Sequence, residues 1–264
     1  MLDDRDTTAE LLYEVHDGIG TITFNRPQAR NALTFSMYER LASVCEQANQ
    51  GGIKALVLTG AGGQAFAAGT DISQFRAFKD AEDAIEYEKR IDRVLTVLER
   101  CIVPTIAAVS GAWTGGGAAI ACCCDIRIGT ANARFGFPIA RTLGNCLSVA
   151  NYARLSAIIE PARVKEIIFT ARLVPAEEAK MIGLLSELLP DHDAALARAQ
   201  ELARLLASHA PLTLRATKEA LRRVREASTP AEAEDLILMC YMSQDFKEGM
   251  DAFLTKRKPV WKGA

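Results

Sequence analysis

The sequence predicts an α/β protein with a largely parallel sheet and a helical C-terminal part. Three observations carry that prediction. Residues 53–59 and 102–109 are apolar runs with little alternation, the pattern of parallel strands buried on both faces. Between them, Ile91, Val94, Leu95 and Leu98 mark the inner face of a charged helix over about residues 81–100. From Pro161 onward the pattern is helix after helix with one short strand, residues 185–189. With 264 residues, 49% of them hydrophobic, the chain can bury a sizeable core.

The elements follow in order. Ile19-Gly20-Thr21-Ile22-Thr23-Phe24 alternates behind the turn pair Asp17-Gly18, which predicts a hairpin feeding a half-buried strand. Met37, Leu41, Val44, Cys45 and Ala48 recur at helical spacing, with Ser36 as the cap and Gly51-Gly52 as the stop. Pro104 stands near the start of the strand over 102–109, where a missing N–H does least harm. A helix then runs from Gly116 through Ala118-Ala119-Ile120-Ala121 to the cysteines, and Asp125-Ile126-Arg127-Ile128 resumes as strand. Strand–helix alternation of this kind predicts βαβ-type units. Helices are expected over 162–170, 175–181, 194–207, 211–225 and 231–256, which divides the chain into a core, 1–200, and a helical region, 201–264.

Several function classes drop out. The net charge is −2 and the basic residues are spread along the helices apart from Lys256-Arg257-Lys258, so no nucleic-acid surface is expected. Residues 1–10 are acidic and polar, unlike a signal or transit peptide, and no run of about 18 apolar residues offers a membrane span. Seven cysteines, three of them consecutive in an apolar stretch (Cys122-Cys123-Cys124), read as small buried side chains in a reducing compartment, so the cytoplasm is expected. Adjacent cysteines lack the two-residue gap of a zinc site, and no metal is expected. Gly60-Ala61-Gly62-Gly63-Gln64-Ala65 fits a loose dinucleotide fingerprint, but Phe66-Ala67-Ala68-Gly69 does not open a smooth helix after it. No Gly-x-Ser-x-Gly serves a serine hydrolase, and His16, His192 and His209 fall outside the motif stretches, where surface positions are expected.

Chemistry concentrates in two stretches, Phe66-Ala67-Ala68-Gly69-Thr70-Asp71-Ile72 and Gly111-Ala112-Trp113-Thr114-Gly115-Gly116-Gly117. Each puts glycine and small residues where a strand ends, so the backbone can turn sharply and present its N–H groups. Two such turns could form one oxyanion hole for the charge that develops on a thioester oxygen.

Together these stretches resemble the enoyl-CoA hydratase/isomerase (crotonase) superfamily. The resemblance extends through Asn25-Arg26-Pro27, Asn31-Ala32-Leu33, Cys124-Asp125-Ile126-Arg127, Phe135-Gly136-Phe137-Pro138 and Phe246-Lys247-Glu248-Gly249-Met250-Asp251-Ala252-Phe253, nearly the whole chain. It implies a spiral of ββα units with a helical C-terminal oligomerisation region, assembled as a homotrimer or homohexamer. It also implies an acyl-CoA substrate and no cofactor beyond the coenzyme A that the substrate carries. The amides of Thr70 and Gly116 would bind the thioester oxygen; Ala68, Asp71, Ile72 and Ser73 would line the groove for the CoA arm. Phe253 and Lys256 match positions that contact the CoA nucleotide.

The sequence departs from the family where proton chemistry belongs. Hydratases of the family carry two glutamates, one two residues after the Gly-rich turn and one directly after Phe-Gly-x-Pro; here Ala119 and Ile139 stand there. Neither moves a proton. Arg141, Asn145 and Cys146 are the candidates to point into the vacated pocket; Arg141, always protonated, would bind a carboxylate or polarise a carbonyl. Asp71 is expected to support its loop, and Asp125 to be a buried, hydrogen-bonded structural acid. The expected function is enolate stabilisation with altered proton chemistry, which makes efficient simple hydration doubtful. The alternatives are a catalytically silent acyl-CoA-binding protein and a decarboxylase or other acyl-CoA lyase.

Overall fold

Asp17 and Gly18, both at positive φ, turn β1 (Leu11–His16) back on β2 (Ile19–Phe24) as the expected antiparallel hairpin. The structure, a computed structural model, describes residues 9–227 and 234–263, so residues 1–8 of the acidic N-terminal stretch lie outside the described residues. Thr34, not Ser36, caps α1 (Phe35–Ala48): its backbone is extended and its hydroxyl accepts from the Met37 N–H at 3.3 Å. Ser36 lies inside the helix and its hydroxyl bonds that of Thr34.

A spiral of ββα units follows. Its turns are β3 (Ala55–Gly60), β4 (Ala65–Ala68) and α2 (Ala81–Glu99); β5 (Thr105–Val109), β6 (Ala112–Thr114) and α3 (Gly116–Cys123); and β7 (Ile126–Thr130), β8 (Arg134–Gly136) and α4 (Ile139–Thr142). The chain continues through α5 (Val149–Ile158), α6 (Pro161–Thr170), β9 (Val174–Pro175), α7 (Ala176–Met181), β10 (Glu187–Leu189) and α8 (His192–Ala207). It ends with α9 (Pro211–Glu226), α10 (Glu234–Tyr241) and α11 (Gln244–Leu254). The first strand of each turn joins the large sheet, ordered β1-β2-β3-β5-β7-β10, and the second joins the small sheet, ordered β4-β6-β8-β9. Among the described residues, the β1–β2 and β8–β9 pairs are antiparallel and the other strand pairs parallel.

Successive side chains on a strand point to opposite faces, and β3 shows why it reads as one apolar run. Leu56 and Leu58 enter the main core, while Ala55 and Val57 face Ala199 and Ala203 of α8, which covers the other side. Position 200 lies within α8. A third cluster, Phe75, Ala84, Leu143, Ile237, Tyr241 and Phe246, ties α10 and α11 to the helical loop after β4. α9 buries none of its residues and leaves Leu212, Leu221 and Val224 exposed. Among the described residues no helix is long and apolar enough to cross a membrane.

Three further expectations change. The helix expected over 231–256 is two helices, because Ser243 accepts from the Phe246 N–H at 2.9 Å and starts a new one; the expected start at 231 lies outside the described residues. The short strands β4, β6 and β8 had no sequence signal of their own. They run three or four residues, too few to show a period. β5 starts at Thr105, after Pro104, and not at 102.

Candidate active site

The first amide is aimed by a single β-bridge. Leu33 N–H donates to the Gly69 carbonyl and Asp71 N–H donates to the Leu33 carbonyl, each at 2.8 Å. In this parallel pairing, Leu33 bonds the residues on either side of Thr70, so the Thr70 N–H faces away from Leu33. Gly69, at φ +98°, makes the turn that allows it.

The second amide opens α3. The first bond of that helix is Ala119 N–H to the Gly115 carbonyl, 3.0 Å, and Gly115 offers no side-chain cap. The Gly116 N–H therefore has no acceptor within its helix and sits at the positive end of the dipole. A Cβ on Gly116 would stand 2.0 Å from the Tyr38 Oη and 3.1 Å from the Thr70 Oγ1, so only glycine fits, and the two turns touch there.

Both turns face a cavity of about 480 Å³. Of the expected site residues, Ala68, Thr70, Asp71, Ile72, Gly116, Asn145 and Phe253 line it, as do Ala119 and Ile139 at the vacated glutamate positions. Cys146 lines it too, but Arg141 is exposed on α4 and does not, which corrects the expectation that it points into this pocket. Lys256 and Ser73 are both exposed, and neither lines the cavity.

Asp71 serves its loop. Its carboxylate accepts from the Ser73 hydroxyl at 2.7 Å and from Arg26 Nη2 at 3.1 Å, and Arg26 also donates to the Ala32 carbonyl at 2.6 Å. Burial pushes the Asp71 carboxyl up, but the hydrogen bonds from Ser73 and Arg26 outweigh it and hold it below the usual range. Asn31 pins the same segment: buried, it donates to the Ala61 and Ala65 carbonyls and accepts from the Arg26 N–H.

Around the same cavity runs a chain of polar side chains, most of which the sequence reading missed. Thr70 Oγ1 is 2.9 Å from the Tyr38 hydroxyl and 3.2 Å from the Tyr87 hydroxyl. Next to Tyr87, Glu88 lines the cavity with only 6% of its surface exposed. Tyr241 of α10 donates its hydroxyl to Glu88 Oε1 at 2.5 Å, and Asn145 Nδ2 donates to the Tyr241 hydroxyl at 3.2 Å. Desolvation lifts the Glu88 carboxyl to about 7, helped by repulsion from Asp92 and opposed by the Tyr241 hydrogen bond. A signal was present: Glu88 falls on the stripe Ala84, Ile91, Leu95 and Leu98, a carboxylate at a core position of an amphipathic helix.

Elsewhere the structure refines other expectations. Asp125 is structural but not buried: it accepts from the Thr105 N–H and hydroxyl and pairs with Lys218 at 2.6 Å. Cys122, Cys123 and Cys124 are buried, and desolvation pushes all three thiols up. His192 is half-buried, with Nδ1 3.0 Å from the Ser110 Oγ. A strand, β4, follows the glycines at 60–63 where a dinucleotide site would have a helix.

Residues 14–264 match the enoyl-CoA hydratase/isomerase family. The chain is similar to a short-chain-enoyl-CoA hydratase of Clostridium acetobutylicum, 34% identical over 94% of this chain and 95% of the relative. Among solved structures it is similar to an enoyl-CoA hydratase/carnithine racemase from Magnetospirillum magneticum, with 33% identity, TM-score 0.78, and 97% and 96% of the two chains covered. It is also similar to a methylmalonyl-CoA decarboxylase in complex with 2-nitronate-propionyl-CoA, with 25% identity, TM-score 0.88, and 97% and 99% covered.

Proposed function

The chain belongs to the enoyl-CoA hydratase/isomerase family, and on that premise we propose that it binds an acyl-CoA thioester in this cavity and stabilises the thioester enolate between the N–H groups of Thr70 and Gly116. One observation carries the reading: two N–H groups from turns far apart in sequence, one aimed by the Leu33 bridge and one at the start of α3, lie on one wall of the cavity. Fixed donors of this kind stabilise developing oxyanion charge without reorganising. No resident cofactor is needed, since coenzyme A arrives with the substrate.

The wall formed by Ala119 and Ile139 cannot assist water. Adding water across an enoyl double bond needs a group to take a proton from water and one to deliver a proton to carbon. Efficient simple hydration through those two positions is therefore not expected.

A second reading is favoured by the likeness to the methylmalonyl-CoA decarboxylase, at TM-score 0.88. Decarboxylation makes the same enolate by breaking a C–C bond: carbon dioxide leaves, its bonding electrons pass to the thioester oxygen, and a proton then adds at carbon. That route needs no base to start it.

The test is calorimetric binding of acetoacetyl-CoA, an enolate mimic, followed by mass analysis after incubation with crotonyl-CoA and with methylmalonyl-CoA. Saturable binding is expected, together with crotonyl-CoA turnover reduced by roughly 10²–10⁴ from that of an enzyme with its acid–base pair. Failure to bind overturns the acyl-CoA reading. Propionyl-CoA from methylmalonyl-CoA selects the decarboxylase, and binding without any product selects the silent binder.

A further inference from the structure

A carboxyl group as buried as Glu88 needs an explanation. Its Oε1 takes the Tyr241 hydroxyl, and among the described residues its Oε2 has no hydrogen-bond partner. An acid used only to hold Tyr241 would be replaced without loss by an amide, which accepts the same hydrogen bond and carries no charge to desolvate. The group is instead kept at the wall of the cavity that also holds the amides. Its neighbour Tyr87 bonds Thr70, so the carboxyl and the first amide are joined through one residue of α2 and one hydroxyl contact.

The surroundings hold it in place from two sides of the fold. Tyr241 comes from α10 and Asn145 from the loop after α4, and the Asn145 Oδ1 is buried without a partner. The arrangement costs an unsatisfied acceptor, which a purely structural contact does not require.

We propose that Glu88 is the proton-transfer group of this site, occupying in space the role that Ala119 and Ile139 leave empty. The inference rests on the acyl-CoA reading above. The Glu88 carboxylate takes a proton from the carbon next to the thioester carbonyl. The electron pair of the broken C–H bond moves onto the thioester oxygen, where the Thr70 and Gly116 N–H groups hold the enolate. The same carboxyl then returns a proton to carbon, at the original atom or at the far end of a conjugated system, and is regenerated as carboxylate. No oxidant or second reactant is consumed. A carboxyl near 7 suits both halves, since the best general base titrates close to the working pH.

The groups facing Glu88 are Tyr38 from α1, Tyr87 and Asp92 from α2, Cys146, Tyr152 from α5 and Tyr241 from α10. Burial pushes all four tyrosines up, and its hydrogen bond with Cys240 and burial push Cys146 up, away from neutrality. Burial also raises the Asp92 carboxyl, against its hydrogen bonds from Ser148 and Arg154, and Cys240, beside Tyr241, is lowered to about 7 by its hydrogen bond with Cys146, so among the described residues these two are the neighbours that could imitate Glu88.

The experiment uses butyryl-CoA as a single probe, with its binding measured by calorimetry and its exchange of α-hydrogen for deuterium in heavy water measured by mass. The wild-type protein is expected to bind and to exchange, with a rate that rises through about pH 7 and levels off above it. Glu88→Gln is expected to bind within about threefold and to lose at least about 100-fold in exchange, together with the pH limb. Glu88→Asp should retain the limb at a reduced rate, which a merely structural role would not produce, and Cys240→Ser and Asp92→Asn should each leave it in place. Exchange in Glu88→Gln within about fivefold of wild type overturns the proposal and leaves the acyl-CoA reading standing. Wild-type binding without exchange also overturns it. No binding by the wild-type protein removes both.

Discussion

The cavity has two walls made in different ways. One is backbone: the Thr70 and Gly116 amides, fixed by a β-bridge and a helix start and pressed together at the Tyr38 hydroxyl. The other is side chain: Glu88 and Asn145 line it beside apolar Ala119 and Ile139, and Tyr241, 153 residues from Glu88, bonds both. The difference teaches where such a site can vary. An amide can be moved only by moving the fold that aims it, whereas a carboxyl can be supplied from any helix that reaches the space. The amide wall is the fixed half, and the proton can change its carrier.

The sharpest way to break this comparison is to remove one amide without removing the helix. Proline is tolerated at the first position of a helix, so Gly116→Pro deletes the N–H while keeping the start of α3. The ring still meets the Tyr38 hydroxyl, as any side chain there would. The variant is therefore made in a Tyr38→Phe background and compared with Tyr38→Phe alone. A loss of roughly 10²–10³ in turnover or α-exchange is expected from the missing donor. Butyryl-CoA exchange by mass is the measurement; a loss below about tenfold would mean that the Gly116 amide does not hold the oxyanion.

The second test sets activity against stability at one residue. Glu88 is raised from 4.5 to about 7 in the folded protein. A carboxyl held above its unfolded value favours its protonated form in the fold. Its contribution to stability is thus fully present below about 4.5 and lost as the pH rises through about 7. At about pH 8 the ionised, buried group costs up to about 3 kcal/mol, an amide costs nothing of the kind, and the two should match near about pH 4. Glu88→Gln is therefore expected to gain stability over wild type as pH rises across that window, read from urea midpoints at each pH. The same change removes the proton carrier. A variant less stable than wild type at every pH would place Glu88 among the ordinary structural acids.

How far each wall could be read in advance follows from how it is built. The glycines at 69 and 115–117 announce the amide wall, since positive φ and a 2.0 Å approach leave no other residue possible. The apolar runs of β3 and β5 announced the large sheet, because both its faces are covered. The small sheet stayed silent, as its strands are too short for a period to show. Glu88 was overlooked because α2 carries charge along its whole outer face, and one more glutamate is conspicuous only when the inner stripe is followed residue by residue. Tyr241 was harder still: the break that Ser243 makes between α10 and α11 fixes where that ring points, and the sequence there reads as one continuous helix. Arg141 went wrong for a related reason, since α4 is a single turn and its direction decides that the guanidinium faces solvent.

Asp71 offers the smallest effect and the finest discrimination, because among the described residues it is the carboxylate next to the Thr70 amide. If it belongs to the scaffold, neutralising it should disturb the loop slightly and the chemistry hardly at all. Burial raises its carboxyl, but the Ser73 and Arg26 hydrogen bonds prevail and hold it below its ordinary value of 3.8. A carboxyl depressed in this way contributes stability that is present above its unfolded value and lost as the pH falls through the folded one. Asp71→Asn keeps an acceptor for Ser73 and gives up the charge facing Arg26, so the expected cost is about 1 kcal/mol near neutrality. The difference between variant and wild type should shrink below about pH 4, where the native carboxyl also becomes neutral. Exchange of butyryl-CoA should fall by less than about tenfold, against the 100-fold or more expected of a proton carrier. A larger fall, with binding intact and a lost pH limb, would move the base from the side-chain wall to the backbone wall and erase the division between them.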